Sequence, residues 1–402
     1  MEIWREIGLA QSRIRSAIRR TPLVSSDTFS RITGKEIYLK LENLQKAGSF
    51  KIRGAYYKLS RLSPSVRKKG VVAASAGNHG QGVAFASSLL GIRSTIVMPE
   101  GASLAKQMAT RSYGGVIILY GQDTDEALGY AKKLADSSGM TFIHPFDDEL
   151  VIAGQGTIGL ENLEEVPGVE AIIVPVGGGG LISGISTIVK KRRPKIKIIG
   201  VQSAHAPSAY LSLEKKKIVE VKVKPTSADG IALRRVGETT FPIIQKRVDE
   251  IVTVQEDEIA SAILLLMERK RVVAEGAGAA PLAALLSRRW KIQQKKIVLV
   301  ISGGNIDVHL LDRIIEKGLT QTGRVIRFGV LLRDVPGALA KLCNLVAQHH
   351  ANILHIVHER AAKDIPIGLS KVILVLETRD PDHIQEIKRG LREKGYSLGM
   401  LS

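Results

Sequence analysis

Between Val71 and Ser302 the chain alternates short, almost wholly apolar runs with longer segments whose apolar residues recur at helical spacing. The runs are "GVVAAS", "STIVMP", "GVIILY", "TFIHP", "AIIVPVG", "KIIGVQ" and "KIVLVIS". A strand with no polar face has to be covered on both sides, and strands of that kind belong to parallel sheets flanked by helices. Segments such as "NHGQGVAFASSLLG" and "DTDEALGYAKKLADSSG" supply those helices, opened by Asn or Asp caps. The pattern predicts an α/β domain, and nothing in it fits a helical bundle or an all-β sandwich.

Near Thr320 the pattern changes. "RVIRFGVLLRD" reads as a strand, and "PGALAKLCNLVAQHH" as a helix with Leu339, Leu342, Leu345 and Val346 on one face and Pro336 and Gly337 at its start. "NILHIVHER" and "SKVILVLETRD" read as two further strands, "DPDHIQEIKRGLREKG" as a helix aligning Ile384, Ile387 and Leu391, and "YSLGML" as a last short strand. The order βαββαβ is a split, ferredoxin-like unit. With the polar stretch "KGLTQTGR" taken as the linker, the domains are residues 1–320 and 325–402.

A chain of 402 residues, 44% of them hydrophobic, can bury one large core and still supply a second, smaller one. No apolar run approaches the roughly 18 residues that span a bilayer, and "MEIWREIGLAQSRIRSAIRR" lacks the apolar stretch and cleavage site of a secretory signal. A cytoplasmic location with no membrane partner is expected. The single cysteine, Cys343, excludes an intramolecular disulfide framework and any all-cysteine metal site. The net charge of +19 raises nucleic-acid binding, but the basic residues fall in short patches such as "KKRRPKIK" and "EKKK", without interleaved aromatics. A solvated basic surface, with no nucleic-acid partner, is the reading that fits.

Four stretches are too rich in glycine and serine to be packing elements, and each adjoins an expected strand or helix end, where open α/β sheets place their ligands. They are "GSFKIRGA" (48–55), "SAGNHGQG" (75–82), "GGGGLISG" (177–184) and "SGGN" (302–305). Four consecutive glycines between a strand and a helix let backbone N–H groups converge on an anion. They lack the Lys-Ser or Lys-Thr of a Walker loop and the register of a dinucleotide site. A phosphate cup together with Lys51 in an irregular segment points to pyridoxal 5'-phosphate, whose aldehyde a lysine amine attacks. Burial beside Phe50 would lower the Lys51 pKa toward a nucleophilic range.

With "KLENLQKAGSFKIRGA", "SAGNHGQG", "PVGGGGLISG", "EGAGA" and "SGGN" in that order, residues 5 to 318 resemble the fold-type II pyridoxal phosphate enzymes, within the group that holds threonine dehydratases and serine racemases. The resemblance implies two parallel-sheet α/β subdomains of the tryptophan synthase β-like kind. It implies that Lys51 is the Schiff-base lysine and the base for the substrate α-proton, with Phe50 beside the pyridine ring. Asn78 would meet the ring's phenolic oxygen, and Ser75, Gly77, Asn78 and His79 would hold the carboxylate of a small amino-acid substrate. Gly177, Gly178, Gly179, Gly180 and Leu181 would bind the phosphate, and Ser302 the ring nitrogen. Glu275, in "EGAGA", matches a family glutamate near the ring and equally fits a helix cap.

The implied reaction is β-elimination of the hydroxyl of threonine or serine, giving a 2-oxo acid and ammonia in isoleucine synthesis or threonine catabolism. No carboxylic acid in these motifs is placed to protonate the departing hydroxyl, which leaves the cofactor phosphate as its donor. Serine racemases share the motifs, but their loop reads Ser-Ser-Gly-Asn-His, and here the second serine is Ala76. "SAHAPSAY" lacks the acidic residues of the racemases' divalent-metal site, so no divalent metal is expected, while a monovalent cation held by backbone carbonyls stays open. "LLRDVPGALAKLCNLVAQHHANILHI" resembles an ACT domain, with Asp334, Pro336 and Gly337 in the first turn. That resemblance implies paired sheets, an amino-acid effector between them and a homo-oligomer, dimer or tetramer. The alternatives are a serine dehydratase or racemase, or an amino-acid sensor without catalysis.

Overall fold

Most of the apolar runs become buried strands in the computed structural model, which describes residues 2–361 and 365–400. The chain divides into two compact units, Met1–Asp307 and Val308–Ser402. In the first, six strands lie in the order Leu23–Ser25, Glu36–Leu41, Lys296–Ile301, Ala171–Pro175, Lys197–Ser203, Glu250–Val254. Only the pair at the Leu23 edge is antiparallel. A second sheet, Val116–Leu119, Ser94–Met98, Val71–Ala74, Thr141–Phe142, is parallel throughout. Ala171–Pro175 and Ser94–Met98 are buried at every position, as strands covered on both faces should be, whereas the edge strand Val116–Leu119 is partly exposed. Among the described residues no helix is long and apolar enough to cross a membrane.

The second unit opens with a helix, Val308–Gln321, and continues as strand Val325–Arg333, helix Ala338–Gln348, strands Asn352–Glu359 and Leu369–Glu377, helix Pro381–Glu393 and strand Leu398–Met400. Its sheet runs Asn352–Glu359, Leu369–Glu377, Val325–Arg333, Leu398–Met400, antiparallel throughout. Phe328, Val330, Leu342, Val346, Val372, Leu374, Ile387 and Leu391 form its core. The linker expected at 317–324 is mostly helix, and the division between units falls ahead of it. The polar composition of that stretch concealed an amphipathic helix that buries Ile314 and Gly318. Leu401, the end of the expected last strand, lies outside the described residues.

Two helix starts also differ from expectation. Lys51, in a stretch that reads as irregular, is the first residue of helix Lys51–Ser60. Asn78 is the first residue of helix Asn78–Leu89 and not its cap, which is Gly77. By contrast, Asp123 accepts from the amides of Asp125 and Glu126, capping helix Thr124–Ser138 as expected.

Beneath the first of these helices lies a buried ion network that the sequence does not announce. Arg53 is fully buried, and its guanidinium donates to both oxygens of Glu42 at 2.8 and 2.7 Å and to both of Glu161 at 2.6 and 2.9 Å. Lys40, also fully buried, lies 2.6 Å from Glu161 and donates to the Thr21 carbonyl at 2.8 Å. Burial alone would raise the Glu161 carboxyl, but Arg53 and Lys40 hold it below its usual range. Glu165 lies 3.6 Å from Lys40 on the outer side, so each buried cation is paired and both forks of Arg53 are satisfied. Replacing Arg53 by Met leaves Glu42 buried without a cation and Glu161 with Lys40 alone, and a loss of about 3–5 kcal/mol is expected. Denaturant titration measures it; a loss under about 1 kcal/mol would show that the network contributes no more than a surface pair.

Candidate active site

The four glycine- and serine-rich stretches converge on one cavity of about 1060 Å³. Ser75 follows strand Val71–Ala74, Gly177 follows Ala171–Pro175 by two residues, and Ser302 follows Lys296–Ile301, so the cavity lies at the carboxyl ends of parallel strands. The lysine loop is stitched to the Ser302 loop through the backbone. Phe50 N donates to Ser302 O at 3.1 Å, Gly304 N to Gly48 O at 2.9 Å, and Ser49 and Gly303 form an isolated bridge. Lys51 Nζ donates to the Pro145 carbonyl at 3.1 Å and lies 5.3 Å from the Phe50 ring centroid. Burial lowers its pKa to about 8, and the charge of Glu275 opposes that shift.

Across the cavity, Gly177 to Gly180 join strand Ala171–Pro175 to helix Gly180–Arg192. Gly179 has φ +98°, a conformation that a side chain would strain, and a Cβ on Gly178 would meet the Phe146 ring at 2.4 Å. Among the described residues the amides of Gly177, Gly178 and Gly179 donate to no backbone acceptor, and those of Gly180 and Leu181 open a helix, where no intrahelical partner exists. A row of unclaimed donors at a helix N-terminus, in the same cavity as an amine near pKa 8, fits a phosphate monoester carrying an aldehyde. Pyridoxal phosphate meets that description, with Phe50, Ser302 and Leu181 also on the wall.

Asn78 and Glu275 meet, and the meeting revises two expectations. Asn78 Nδ2 donates to both carboxylate oxygens of Glu275, at 2.7 and 2.9 Å, while its Oδ1 accepts from Asn305 Nδ2 at 2.6 Å. To reach a bound ring, the Asn78 amide must release one of the Glu275 oxygens. Glu275 occupies the cap position of helix Gly276–Leu286, but its side chain makes no capping bond, which removes the cap reading. Its pKa is raised to about 7, first by burial and then by Asp229. Glu275 is thus a cavity carboxyl whose pKa burial brings to about 7, and its hydrogen bonds run to Asn78.

His79 is buried, and its Nε2 lies 2.8 Å from the Ile143 carbonyl. A carbonyl only accepts, so Nε2 carries the hydrogen. The pKa falls to about 3, through burial and then the charge of Lys51. The ring is thus a neutral strut, and only the His79 amide remains for a substrate. The Gly77 amide is likewise engaged, by Ser75 Oγ at 3.1 Å, which leaves the Ser75 hydroxyl proton free to point elsewhere.

Asn305 was within reach of the sequence, as the last residue of "SGGN". It also donates to Ala47 O and Gln81 Oε1, both at 3.1 Å, and so ties the lysine loop to helix Asn78–Leu89. His144 carried no signal at all. Its Nδ1 accepts from the amides of Phe146 and Asp147 at 3.3 and 2.8 Å, shaping the turn that backs the glycine cup.

Residues 14–303 match the family described as pyridoxal-phosphate dependent enzyme, and residues 325–393 match the ACT domain. The L-threonine ammonia-lyase of Thermotoga maritima is 52% identical over 393 residues, covering 98% of this chain and 98% of that relative. The solved structure of the processed form of threonine deaminase isoform 2 from Solanum lycopersicum aligns with a TM-score of 0.75 at 39% identity, covering 78% of this chain and 93% of the other. Maize serine racemase gives a TM-score of 0.75 at 36% identity, covering 79% and 98%.

Borohydride reduction of the protein mixed with pyridoxal phosphate should attach the cofactor to Lys51, as read by peptide mass mapping, and Lys51→Ala should abolish that adduct. With the amine near pKa 8, the labelling rate should level off above about pH 9, where an ordinary lysine would still be gaining free amine. An adduct mapped to a different lysine would overturn the assignment.

Proposed function

The chain belongs to the pyridoxal-phosphate dependent enzymes, and we propose that it converts L-threonine to 2-oxobutanoate and ammonia, and L-serine to pyruvate and ammonia. The observation that carries this reading is the Lys51 amine and the unclaimed amides of the glycine cup sharing one cavity. It is supported by a named L-threonine ammonia-lyase at 52% identity over nearly the whole chain. Atoms balance: the water lost with the β-hydroxyl is regained when the amino group leaves as ammonia.

The residues divide the work. The amides of Gly177 to Leu181 would hold the phosphate, and Phe50 would flank the ring. When bound, pyridoxal phosphate supplies an electron-withdrawing ring that takes up the electron pair left by the departing α-proton. Lys51 Nζ receives that proton, and its lowered pKa suits an acceptor working near neutrality. The Ser75 hydroxyl and the amides of Asn78 and His79 hold the substrate carboxylate at the N-terminus of helix Asn78–Leu89. The Ser302 hydroxyl would face the ring nitrogen as a neutral donor, which would make the ring a weaker electron acceptor than an acidic partner would and suit loss of a β-substituent. Glu275, with its pKa raised to about 7 by burial, can exchange a proton near neutrality, while the hydrogen bonds from Asn78 favour its ionised form.

Residues 325–402 serve regulation in this reading, with a small amino acid bound between paired ACT sheets of a dimeric or tetrameric assembly. The division at residues 1–320 and 325–402 is kept as a functional one, with helix Val308–Gln321 leading into the ACT sheet. A racemase has support from the maize structure, but Ala76, on the cavity wall, has no hydroxyl to deliver a proton to the substrate's second face.

Release of 2-oxo acid by the cofactor-loaded protein is expected to be faster with L-threonine than with L-serine. Silence with threonine alongside turnover of serine would make it a serine-specific enzyme, and silence with both would remove the lyase. Ala76→Ser should raise D-serine formation from L-serine, detected by chiral chromatography; unchanged output would dispose of the argument from that position.

A further inference from the structure

We infer that Thr240, which does not line the cavity, is a positioning residue for the phosphate cup and acts by fixing the direction of the Gly178–Gly179 peptide. The inference rests on the reading of that cup as a phosphate site. Thr240 is fully buried, and its hydroxyl donates to the Gly178 carbonyl at 2.6 Å while accepting from the Gly237 amide at 3.0 Å. The Gly237 amide also reaches the Gly178 carbonyl, at 3.2 Å. In a trans peptide the C=O and the following N–H point in opposite directions. Pulling the Gly178 carbonyl back toward Thr240 therefore turns the Gly179 amide, which has no backbone acceptor, toward the cavity that Gly179 lines.

Thr240 is itself held from a distant part of the chain. It opens helix Thr240–Arg247, whose start is capped from outside by Asp147: the carboxylate accepts from the amides of Glu238, Thr239 and Thr240 at 3.0, 2.8 and 3.1 Å. A Cβ on Gly237 would lie 2.1 Å from Asp147 Oδ1, so the loop closes onto the carboxylate only with glycine there. Asp147 directly follows Phe146, the ring that backs Gly178. Phe146 thus grips the cup from one side and Thr240 from the other. Rotation of the Gly178–Gly179 peptide, cheap in an isolated glycine run, would cost the Thr240 bond and expose a carbonyl oxygen to the bound anion.

The test separates phosphate recognition from general packing. Pyridoxal phosphate and pyridoxal, which lacks the phosphate, are titrated into the full chain freed of cofactor, with binding followed by absorbance. The wild type should prefer pyridoxal phosphate. Thr240→Val should weaken pyridoxal phosphate by at least about tenfold, the scale of one hydrogen bond to a charged group, while pyridoxal changes by less than about twofold. Thr240→Ser, which keeps the hydroxyl, should restore the preference. Asp147→Asn, one step further back, should give a smaller loss of the same phosphate-selective kind, and decides the matter if the valine variant does not fold. Equal weakening of both ligands, or no weakening, overturns the positioning role. A wild type that does not distinguish the two ligands overturns the phosphate reading itself.

Discussion

The position of Lys51 depends on a guanidinium two residues further along the same helix. Arg53 is clamped between Glu42, the residue after strand Glu36–Leu41, and Glu161, on helix Glu149–Glu165, with Lys40 as a second cation on Glu161. The clamp joins the six-stranded sheet, the long buried helix and the lysine helix at one point. A buried ion pair of this kind adds little net stability compared with a well-packed apolar core, because both charges had to leave water. What it does supply is direction, because a bidentate fork on each side of a planar cation admits one orientation. The first turn of the helix inherits that orientation, and Lys51 is the first residue of that turn.

Burial then sets the chemistry, and it acts in opposite senses on the two titrating groups of the cavity. It pushes Lys51 down to about 8 and Glu275 up to about 7, in each case favouring the neutral form. Their mutual attraction works against both shifts but is weaker than desolvation. Near neutral pH the cavity therefore holds an amine that can readily lose its proton and a carboxyl that can readily give one up. Asn78 donates to both oxygens of the Glu275 carboxyl, and Asn305 in turn donates to Asn78, so the carboxyl is held by a chain of two amides.

Features that are local in sequence were legible there. The apolar runs indicated the parallel strands because a strand buried on both faces shows no polar alternation, and the Gly177–Gly180 run marked the turn between strand Ala171–Pro175 and helix Gly180–Arg192. The βαββαβ order of the second unit was readable from its alternation of period. What escaped lies in partners far apart along the chain. Nothing near Asn78 points to Glu275, and nothing near Arg53 points to Glu161, so both side chains read as ordinary polar residues until the fold brings them together. The linker was misread for a different reason: Lys317, Thr320 and Gln321 are polar because they lie on the exposed side of a helix that buries Ile314 and Gly318.

The same division between local and distant information governs the cup. Glycines can present their amides to an anion, but the freedom that permits it also permits the reverse peptide orientation, with the carbonyl turned inward. A glycine run therefore supplies the capacity to bind phosphate without the preference for doing so. The preference has to come from groups that hold the carbonyl from behind, and these cannot belong to the run itself. Here they come from Thr240 and Gly237, roughly sixty residues downstream, held in turn by Asp147 from upstream. The donors can then be preorganised, with their orientation established during folding and not at the expense of binding energy.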